Sequence, residues 1–130
     1  MITGQAKLVG RACTGDPAVP AGDGRQIAVV ERGLCTFTEK VGNVIAAGGY
    51  AAVLVFNREG SDACNQSLGM SVEGAIPTFG VAPRQHGFAI FDQEAQYDDA
   101  ACNAGTGTRL APIAIGTPGD TLTFASKFDG

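Results

Sequence analysis

The clearest feature of the sequence is a helical pattern between two short apolar runs, residues 27–30 and 51–56. Both runs place apolar residues, many of them β-branched, at consecutive positions, which is typical of short strands buried on both faces. Between the runs, four apolar residues have the spacing of one helical face: Phe37, Val41, Val44 and Ile45. A helix with this apolar face should pack against both strands. The three segments together predict a right-handed crossover unit with parallel, adjacent strands.

The limits of this helix can be predicted as well. Thr36 and Glu39 have the spacing of a capping box, so the helix should begin at this point. The pair Gly48-Gly49 should end it, because glycine commonly terminates helices. Lys40 and Asn43 lie off the apolar stripe, and we therefore expect their side chains to face away from the strands.

Weaker strand patterns lie on either side of this unit. Residues 6–9 form a short apolar run that we expect to pair at the edge of the sheet, and residues 76–81 predict a third core strand. Residues 110–115 and 121–128 predict two more strands. The last of these alternates with a period of two residues, which fits an antiparallel or edge strand.

A second helix is predicted after the third core strand. Pro83 suits the first turn of a helix. The residues expected on this helix are Gln85, His86, Phe88, Ile90 and Phe91. The complete pattern predicts one compact α/β domain over residues 1–130, with two main helices and a mixed β-sheet that could close into an open, sandwich-like β-barrel.

Composition narrows the classes of partner. The chain has 130 residues and a formal net charge of −4, and nine scattered lysines and arginines do not form the basic patch that nucleic acid or an anionic membrane surface requires. No apolar run approaches the roughly 20 residues of a membrane-spanning helix. The first residues do not resemble a signal peptide, so we expect the chain to be a piece of a longer precursor.

Four cysteines are the main candidates for chemistry: Cys13, Cys35, Cys64 and Cys102. They include no Cys-x-x-Cys pair, and His86 is the only histidine, so the spacing does not support a zinc site. An even number of cysteines is better explained by two disulfides, for which three pairings are possible. Cys35 at a helix start, together with His86, could alternatively form the nucleophile and base of a small thiol enzyme.

The central motif resembles that of the protease-associated (PA) domain family. The resemblance rests on VVERGLCTF at residues 29–37, Lys40 one turn later, AAGG at residues 46–49 and VLVFN at residues 53–57. The segment AIPTFGV at residues 75–81 is similar to the family's Ile-Pro strand. With the terminal strands included, the resemblance extends over nearly the whole chain.

The resemblance implies both a fold and a function. It implies the swivelling β/α architecture of PA domains and a non-catalytic module that needs no cofactor. Such modules occur in secreted peptidases, sorting receptors and membrane-bound ubiquitin ligases, where they are thought to shape access of protein substrates or to bind peptides. The expected partners are therefore a protein or peptide substrate and an adjacent catalytic domain in the same chain. The alternative is a purely structural spacer or lid without its own ligand.

The resemblance also implies a pairing of the cysteines. The links Cys13–Cys35 and Cys64–Cys102 keep each closed loop local and agree with those of many extracellular PA domains. Such links would place the domain outside the cell, secreted or at the surface. Six arginines against three lysines and a composition rich in alanine and glycine favour a bacterial source.

The predicted ligand site lies where the first strand of the crossover unit ends. Its residues are expected to be Arg32, Gly33, Thr36, Phe37 and Asn57. Open α/β sheets bind ligands at the carboxyl ends of their strands, so the side chain of Arg32 should leave the sheet there. A peptide carboxylate or carbonyl would lie between Arg32 and the free N–H groups of the helix start. Alternatively, Arg32 only forms an ion pair with Glu31 or Glu39.

An acidic stretch near the second helix is a weaker candidate site. Its carboxylates are Asp92, Glu94, Asp98 and Asp99. Carboxylates are the ligands that calcium prefers, but these lack the alternating spacing of a calcium-binding loop. The sequence therefore favours a solvated acidic loop over a metal site.

Overall fold

The computed structural model describes residues 2–60, 62–64, 66, 76–81, 84–91, 97–98, 102 and 110–115. Its elements in chain order are β1 (Ile2–Leu8), β2 (Gln26–Glu31), α1 (Phe37–Ala47), β3 (Tyr50–Phe56), β4 (Thr78–Val81), α2 (Arg84–Ile90) and β5 (Leu110–Ile115). The predicted strand over residues 121–128 lies outside the described residues. The closure of the sheet into a barrel therefore stays a prediction.

The strands form one mixed sheet in the order β4-β3-β2-β1-β5. Strands β1 to β4 are parallel to one another, and β5 runs antiparallel to β1. The mixed sheet, the two helices and the parallel pairing of β2 with β3 are as predicted. The edge position expected for residues 6–9 is wrong, because β1 lies between β2 and β5. The strand begins four residues earlier, at Ile2, and these added residues pair with β5.

Strands β2 and β3 are buried on both faces, as their continuous apolar sequences predict. One face of the sheet packs Ile27, Val29, Ala52 and Leu54 together with Ile90 of α2. The opposite face packs Ala28, Val30, Val53 and Val55 against Val41 and Val44 of α1. The two helices therefore cover opposite faces of the sheet, and the strand ends meet the loops that lead to both helices.

Helix α1 begins and ends where the sequence predicts. The Thr36 side chain accepts a hydrogen bond from the Glu39 N–H at 3.1 Å, and Gly48 caps the end with a φ of 79°. The other hydrogen bond of the predicted capping box, from the Thr36 N–H to the Glu39 carboxylate, does not form. The Glu39 carboxylate instead accepts a hydrogen bond from the Thr14 N–H at 2.9 Å, so it ties the preceding loop to the helix start.

The buried face of α1 is rotated relative to the prediction. Ile45 was expected in the core but is 39% exposed, whereas Lys40 was expected to face away and has no exposed surface. Val41 and Val44 are fully buried, as predicted. The helix therefore turns the Lys40 side toward the sheet edge, where the backbone carbonyls of neighbouring loops can accept hydrogen bonds from its ammonium.

Helix α2 is confirmed, with a first described residue at Arg84. Gly87 interrupts its sequence pattern, but glycine is needed at this position because a Cβ atom would clash with the ring of Phe56. The helix therefore approaches β3 more closely than a larger residue would allow. Of the four acidic residues weighed as calcium ligands, only Asp98 belongs to the described residues, and it is exposed.

Candidate functional site

The carboxyl ends of β2 and β3 bring several polar side chains to one edge of the sheet. Glu31 is the last residue of β2, Arg32 follows it, and Asn57 follows β3. The Arg32 N–H donates to the Phe56 carbonyl at 2.9 Å, so the pairing of the two strands continues one residue beyond β2. Arg32 is therefore fixed by the sheet itself rather than by a free loop.

The Arg32 side chain is anchored by an amide and not by a carboxylate. Its Nη1 donates to Oδ1 of Asn57 at 3.0 Å. The proposed ion pairs with Glu31 and Glu39 do not form, because Glu31 pairs with Arg84 at 3.1 Å and Glu39 binds the Thr14 N–H. Within the part of the chain that the structure describes, Asn57 is the sole hydrogen-bond partner of this guanidinium.

Asn57 has a different position from the one expected of a ligand-binding residue. It is fully buried, and its Nδ2 donates to the carbonyls of Ala63 at 2.7 Å and Gln66 at 2.8 Å. Its Oδ1 accepts from Arg32 and from the Arg58 N–H. Both donors and the acceptor are thus already bonded, so Asn57 supports Arg32 and the following turn rather than offering its amide to a ligand.

Arg84, which the sequence reasoning missed, joins the two strand ends to α2. Its side chain is nearly buried, and Nη1 lies 3.1 Å from the Glu31 carboxylate and 3.0 Å from the Asn57 carbonyl. Its Nε donates to the Cys102 carbonyl at 2.8 Å, and its guanidinium lies 5.1 Å from the ring centroid of Phe88. An arginine that starts a helix gives no sequence signal of burial, since arginines are mostly exposed.

The buried Lys40 side chain holds the loop between β2 and α1 in place. Its Nζ donates to the carbonyls of Gly33 at 2.7 Å and Arg11 at 2.8 Å, and lies 3.5 Å from Sγ of Cys13. Burial, together with the positive charge of Arg11, lowers the pKa of Lys40 from 10.5 to about 8. The ammonium therefore links the Gly33 turn to residues 11–13, which precede the first long loop.

Two disulfides reinforce these connections, with the pairings implied by the resemblance. Cys13 is bonded to Cys35, and Cys64 is bonded to Cys102. The first bond joins the loop after β1 to the start of α1. Because Cys35 is oxidised, it has no thiol to act as a nucleophile with His86. The Glu39 carboxylate lies near the first disulfide, but oxidised sulfurs are not the thiolates that zinc binds.

The remaining predicted site residues lie on the loop between β2 and α1 or, for Phe37, at the first position of α1. Gly33 adopts a φ of 117°, which favours glycine, and the exposed Thr36 caps α1. Phe37 is partly buried against the α1 face of the sheet, so only part of its ring is open to a ligand. Leu34 was not predicted, yet it is 76% exposed and has a φ of 70°, which is unusual for a branched residue.

This edge of the sheet presents three kinds of group to a ligand. Arg32 supplies guanidinium donors beyond the one that Asn57 engages, and Leu34 supplies an exposed apolar side chain. The first N–H groups of a helix have no partner within it, so α1 adds backbone donors next to the loop. These groups can bind a carboxylate or carbonyl together with a neighbouring apolar side chain.

A concave surface separate from this edge lies next to Cys13 of the first disulfide. It is a cleft of about 330 Å³ between the loop at residues 13–19 and the residues Asn43, Ala46 and Ala47 of α1. Most of the lining residues have small side chains. It does not contain any of the residues that the sequence predicted for ligand binding.

Comparisons with known proteins match the region that contains this edge to one family model. A family model described as PA domain matches residues 4–90, about two thirds of the 130-residue chain. The matched range runs from β1 to α2 and includes Arg32, Lys40, Asn57 and Arg84. No curated protein and no solved structure matches the chain. Neither of the two described helices has the length and apolar character needed to cross a bilayer.

Proposed function

We propose that this chain, which belongs to the PA domain family, is a non-catalytic module that binds a protein or peptide segment at the loop between β2 and α1. Through this contact it would govern which substrates reach an adjacent catalytic domain of a larger hydrolase. The family match supports the general assignment. The ligand, the parent hydrolase and the effect on substrate access are the proposed parts.

The observation that carries this proposal is the way in which Arg32 is held. Asn57 engages one nitrogen of the guanidinium, which leaves the outer donors for a ligand. The loop on which Arg32 lies is fixed by the Lys40 ammonium and by the first disulfide. A site held in place before binding loses less conformational entropy when the ligand arrives, so even a few contacts can give useful affinity.

The ligand that fits best is a peptide with a carboxylate next to an apolar side chain. A carboxylate can accept two parallel hydrogen bonds from a guanidinium, which gives direction as well as charge attraction. Leu34 lies two residues from Arg32 and is exposed, so it can contact the neighbouring apolar side chain. The carboxylate could be the C-terminus of the peptide or an acidic side chain.

Two features support a secreted or surface location for the parent protein. Both disulfides lie within a small domain, and disulfides persist in oxidising compartments. PA domains are also typical of secreted and cell-surface proteins. We propose on this basis that the catalytic partner is a secreted or surface hydrolase that is joined to this domain in the same chain.

A pair of matched peptides tests the proposed site. Short peptides of one sequence, with either a free C-terminal carboxylate or a C-terminal amide, are titrated into isotopically labelled protein and followed by NMR. The free acid should bind more tightly and shift the backbone signals of residues 32–38. Shifts that instead centre on the cleft at residues 13–19, or around residues 96–106, would contradict the assignment of the site to Arg32.

The second candidate function is a structural spacer or lid. This function is favoured by the number of polar side chains that form hydrogen bonds inside the molecule. Asn57, Arg84 and Lys40 all donate to backbone carbonyls and so hold loops in place. A spacer needs rigid loops but no exposed donor. Equal and negligible binding of the acid and amide peptides, with no shift at Arg32, would favour this function over ligand binding.

A further inference from the structure

We propose that the Cys13–Cys35 disulfide is a thiol-exchange site, at which an external thiol attacks Sγ of Cys35 and expels Cys13 as a thiolate that the Lys40 ammonium stabilises. The modification would be a mixed disulfide on Cys35. It would be followed by full reduction when a second thiol is present. The first disulfide would therefore be the reducible one of the two.

The burial of the four cysteine residues favours attack at Cys35. Cys13 is 5% exposed, whereas Cys35 is only partly buried and lies on the loop that leads into α1. Cys64 and Cys102 are 1% and 2% exposed. Cys35 is the least buried of the four cysteines. Because an attacking thiolate must approach a sulfur in line with the bond that breaks, it should reach Cys35 before either cysteine of the second disulfide.

The position of Lys40 favours Cys13 as the leaving group. Its Nζ lies 3.5 Å from Sγ of Cys13 and is held there by the carbonyls of Arg11 and Gly33. A cation beside a sulfur stabilises the thiolate over the thiol, and a more stable thiolate leaves faster in exchange. The chain thus provides access at one sulfur and charge stabilisation at the other.

The other charged groups near this disulfide do not reverse that preference. The charges that act on Lys40 come from Arg11, Asp16, Glu31 and Glu39. The Glu39 carboxylate lies within 4.8 Å of both sulfurs, so it opposes a thiolate at either position. The positive end of the helix dipole at the start of α1 would stabilise a thiolate at Cys35. For Cys35 to be the leaving group, however, the external thiol would have to attack the sulfur of Cys13, which is the more buried residue.

The exchange balances without any group beyond the external thiol. The thiolate of the reagent forms a bond to Sγ of Cys35, the bond between the two protein sulfurs breaks, and its electron pair leaves with Cys13. A second thiolate then attacks the sulfur of the reagent in the mixed disulfide. Cys35 leaves and takes a proton from water, so two electrons pass from the reagent thiols to the protein and the reagent becomes its own disulfide.

Opening this bond would alter the proposed ligand site, a consequence that rests on the function proposed above. The bond joins the loop that carries Arg32 and Leu34 to residues 11–13. After cleavage, the Lys40 ammonium would pair with the Cys13 thiolate, and the loop would keep only its non-covalent ties. The redox state of the surroundings would then regulate ligand binding.

The chemical claim is tested on the unmodified 130-residue chain. Native protein is treated briefly with 2-mercaptoethanol near pH 7.5, quenched with acid, and mapped by mass spectrometry for the position of the mixed disulfide. The reagent should be found on Cys35, with Cys13 free and Cys64–Cys102 intact. Reagent found mainly on Cys13, or earlier opening of Cys64–Cys102, would overturn the proposal, and this readout needs no variant that might misfold.

The role of Lys40 is tested by comparing Lys40→Met with Lys7→Met, since Lys7 is the other lysine among the described residues. If the ammonium stabilises the departing Cys13 thiolate, its loss should slow opening of the first disulfide about tenfold. Lys7→Met should react at the wild-type rate, and equal rates for all three proteins would overturn the role of Lys40. Peptide binding is measured separately, so a failure of the proposed function leaves the sulfur mapping unaffected.

Discussion

Asn57 and Arg32 are joined by a hydrogen bond of 3.0 Å between Oδ1 and Nη1, which links the end of β3 to the residue that follows β2. Because Asn57 is itself fixed by the carbonyls of Ala63 and Gln66, the direction of the guanidinium is set by the turn after β3. The loop between β2 and α1 and the turn after β3 therefore act as one unit at this edge of the sheet.

Arg32→Ala should weaken binding of the carboxylate peptide while the fold stays intact. A charge-assisted hydrogen bond to the ligand is lost, so binding should become less favourable by roughly 1.5–3 kcal/mol. Isothermal titration calorimetry measures the loss. Arg58→Ala is the matched control, because its guanidinium already pairs with the exposed Asp62 carboxylate at 2.6 Å. Equal losses in both variants would indicate general charge attraction and not a site at Arg32.

Asn57→Ala should destabilise the domain itself. The substitution leaves two backbone carbonyls without the Nδ2 donor: that of the buried Ala63, and that of Gln66, whose hydrogen bond to Asn57 is only partly buried. A buried group that loses its partner costs about 1–3 kcal/mol and a partly buried group costs less, so the free energy of unfolding should decrease by about 1–4 kcal/mol. Urea unfolding measures this change. A change below ~0.5 kcal/mol would mean that water replaces the amide and that Asn57 does not hold this edge together.

The sequence predicts the backbone elements at this edge of the sheet better than the side-chain hydrogen bonds that hold them together. The crossover unit, the helix limits and the residue that follows β2 can be predicted because they depend on local periodicity and capping, which are visible along the chain. Asn57 and Lys40 could not be assigned their roles. Their partners are carbonyls of residues that are distant in sequence or lie in irregular loops, and no local pattern records which carbonyl a side chain will reach.

Arg84 illustrates the same limit for charged residues. Its partners lie 18 to 53 residues away along the chain, at Cys102, Asn57 and Glu31. The sequence offered Glu31, as a neighbouring carboxylate, as one alternative partner of Arg32. Adjacent residues in an extended segment point to opposite faces, so the adjacency of Glu31 and Arg32 where β2 ends works against an ion pair. The burial of Arg84 depends on the packing of α2 against β3.

Removal of the first disulfide should lower the stability of the domain. The bond closes a segment with a sequence separation of 22, for which the chain-entropy estimate is about 3 kcal/mol. The double variant Cys13→Ser/Cys35→Ser, which leaves no unpaired thiol, should melt at a temperature lower by roughly 10 °C. Differential scanning calorimetry measures the shift. An unchanged melting temperature would show that Lys40 and the capping contacts alone hold these loops.

Two neighbouring residues of α1 provide a matched test of its orientation. Val44 is fully buried against the sheet, whereas Ile45 is 39% exposed. Val44→Asp should prevent folding or reduce stability by several kcal/mol, because the carboxylate would be buried without a partner. Ile45→Asp should change the stability by less than about 1 kcal/mol, because its side chain can reach water. Circular dichroism during urea unfolding compares the two, and similar losses would mean that the helix is rotated differently.

Lys40 should make the stability of the domain depend on pH in a predictable direction. Its pKa is about 8 in the folded protein, lowered mainly by burial, and returns to about 10.5 when the chain unfolds. Between these values the unfolded chain binds more protons than the folded one, so the free energy of unfolding should increase as the pH rises from 8 to 10.5. Below pH 8 the ammonium is protonated in both states, and its contribution is constant. Urea unfolding of the wild type and Lys40→Met at pH 7, 8, 9 and 10 isolates this contribution, because the other titrating groups are common to both proteins. The stability of the wild type relative to the variant should stay constant up to about pH 8 and then increase. A relative stability that decreases above pH 8 would contradict the lowered pKa of Lys40. It would mean that the hydrogen bonds to the carbonyls of Gly33 and Arg11 stabilise the ammonium more than burial destabilises it.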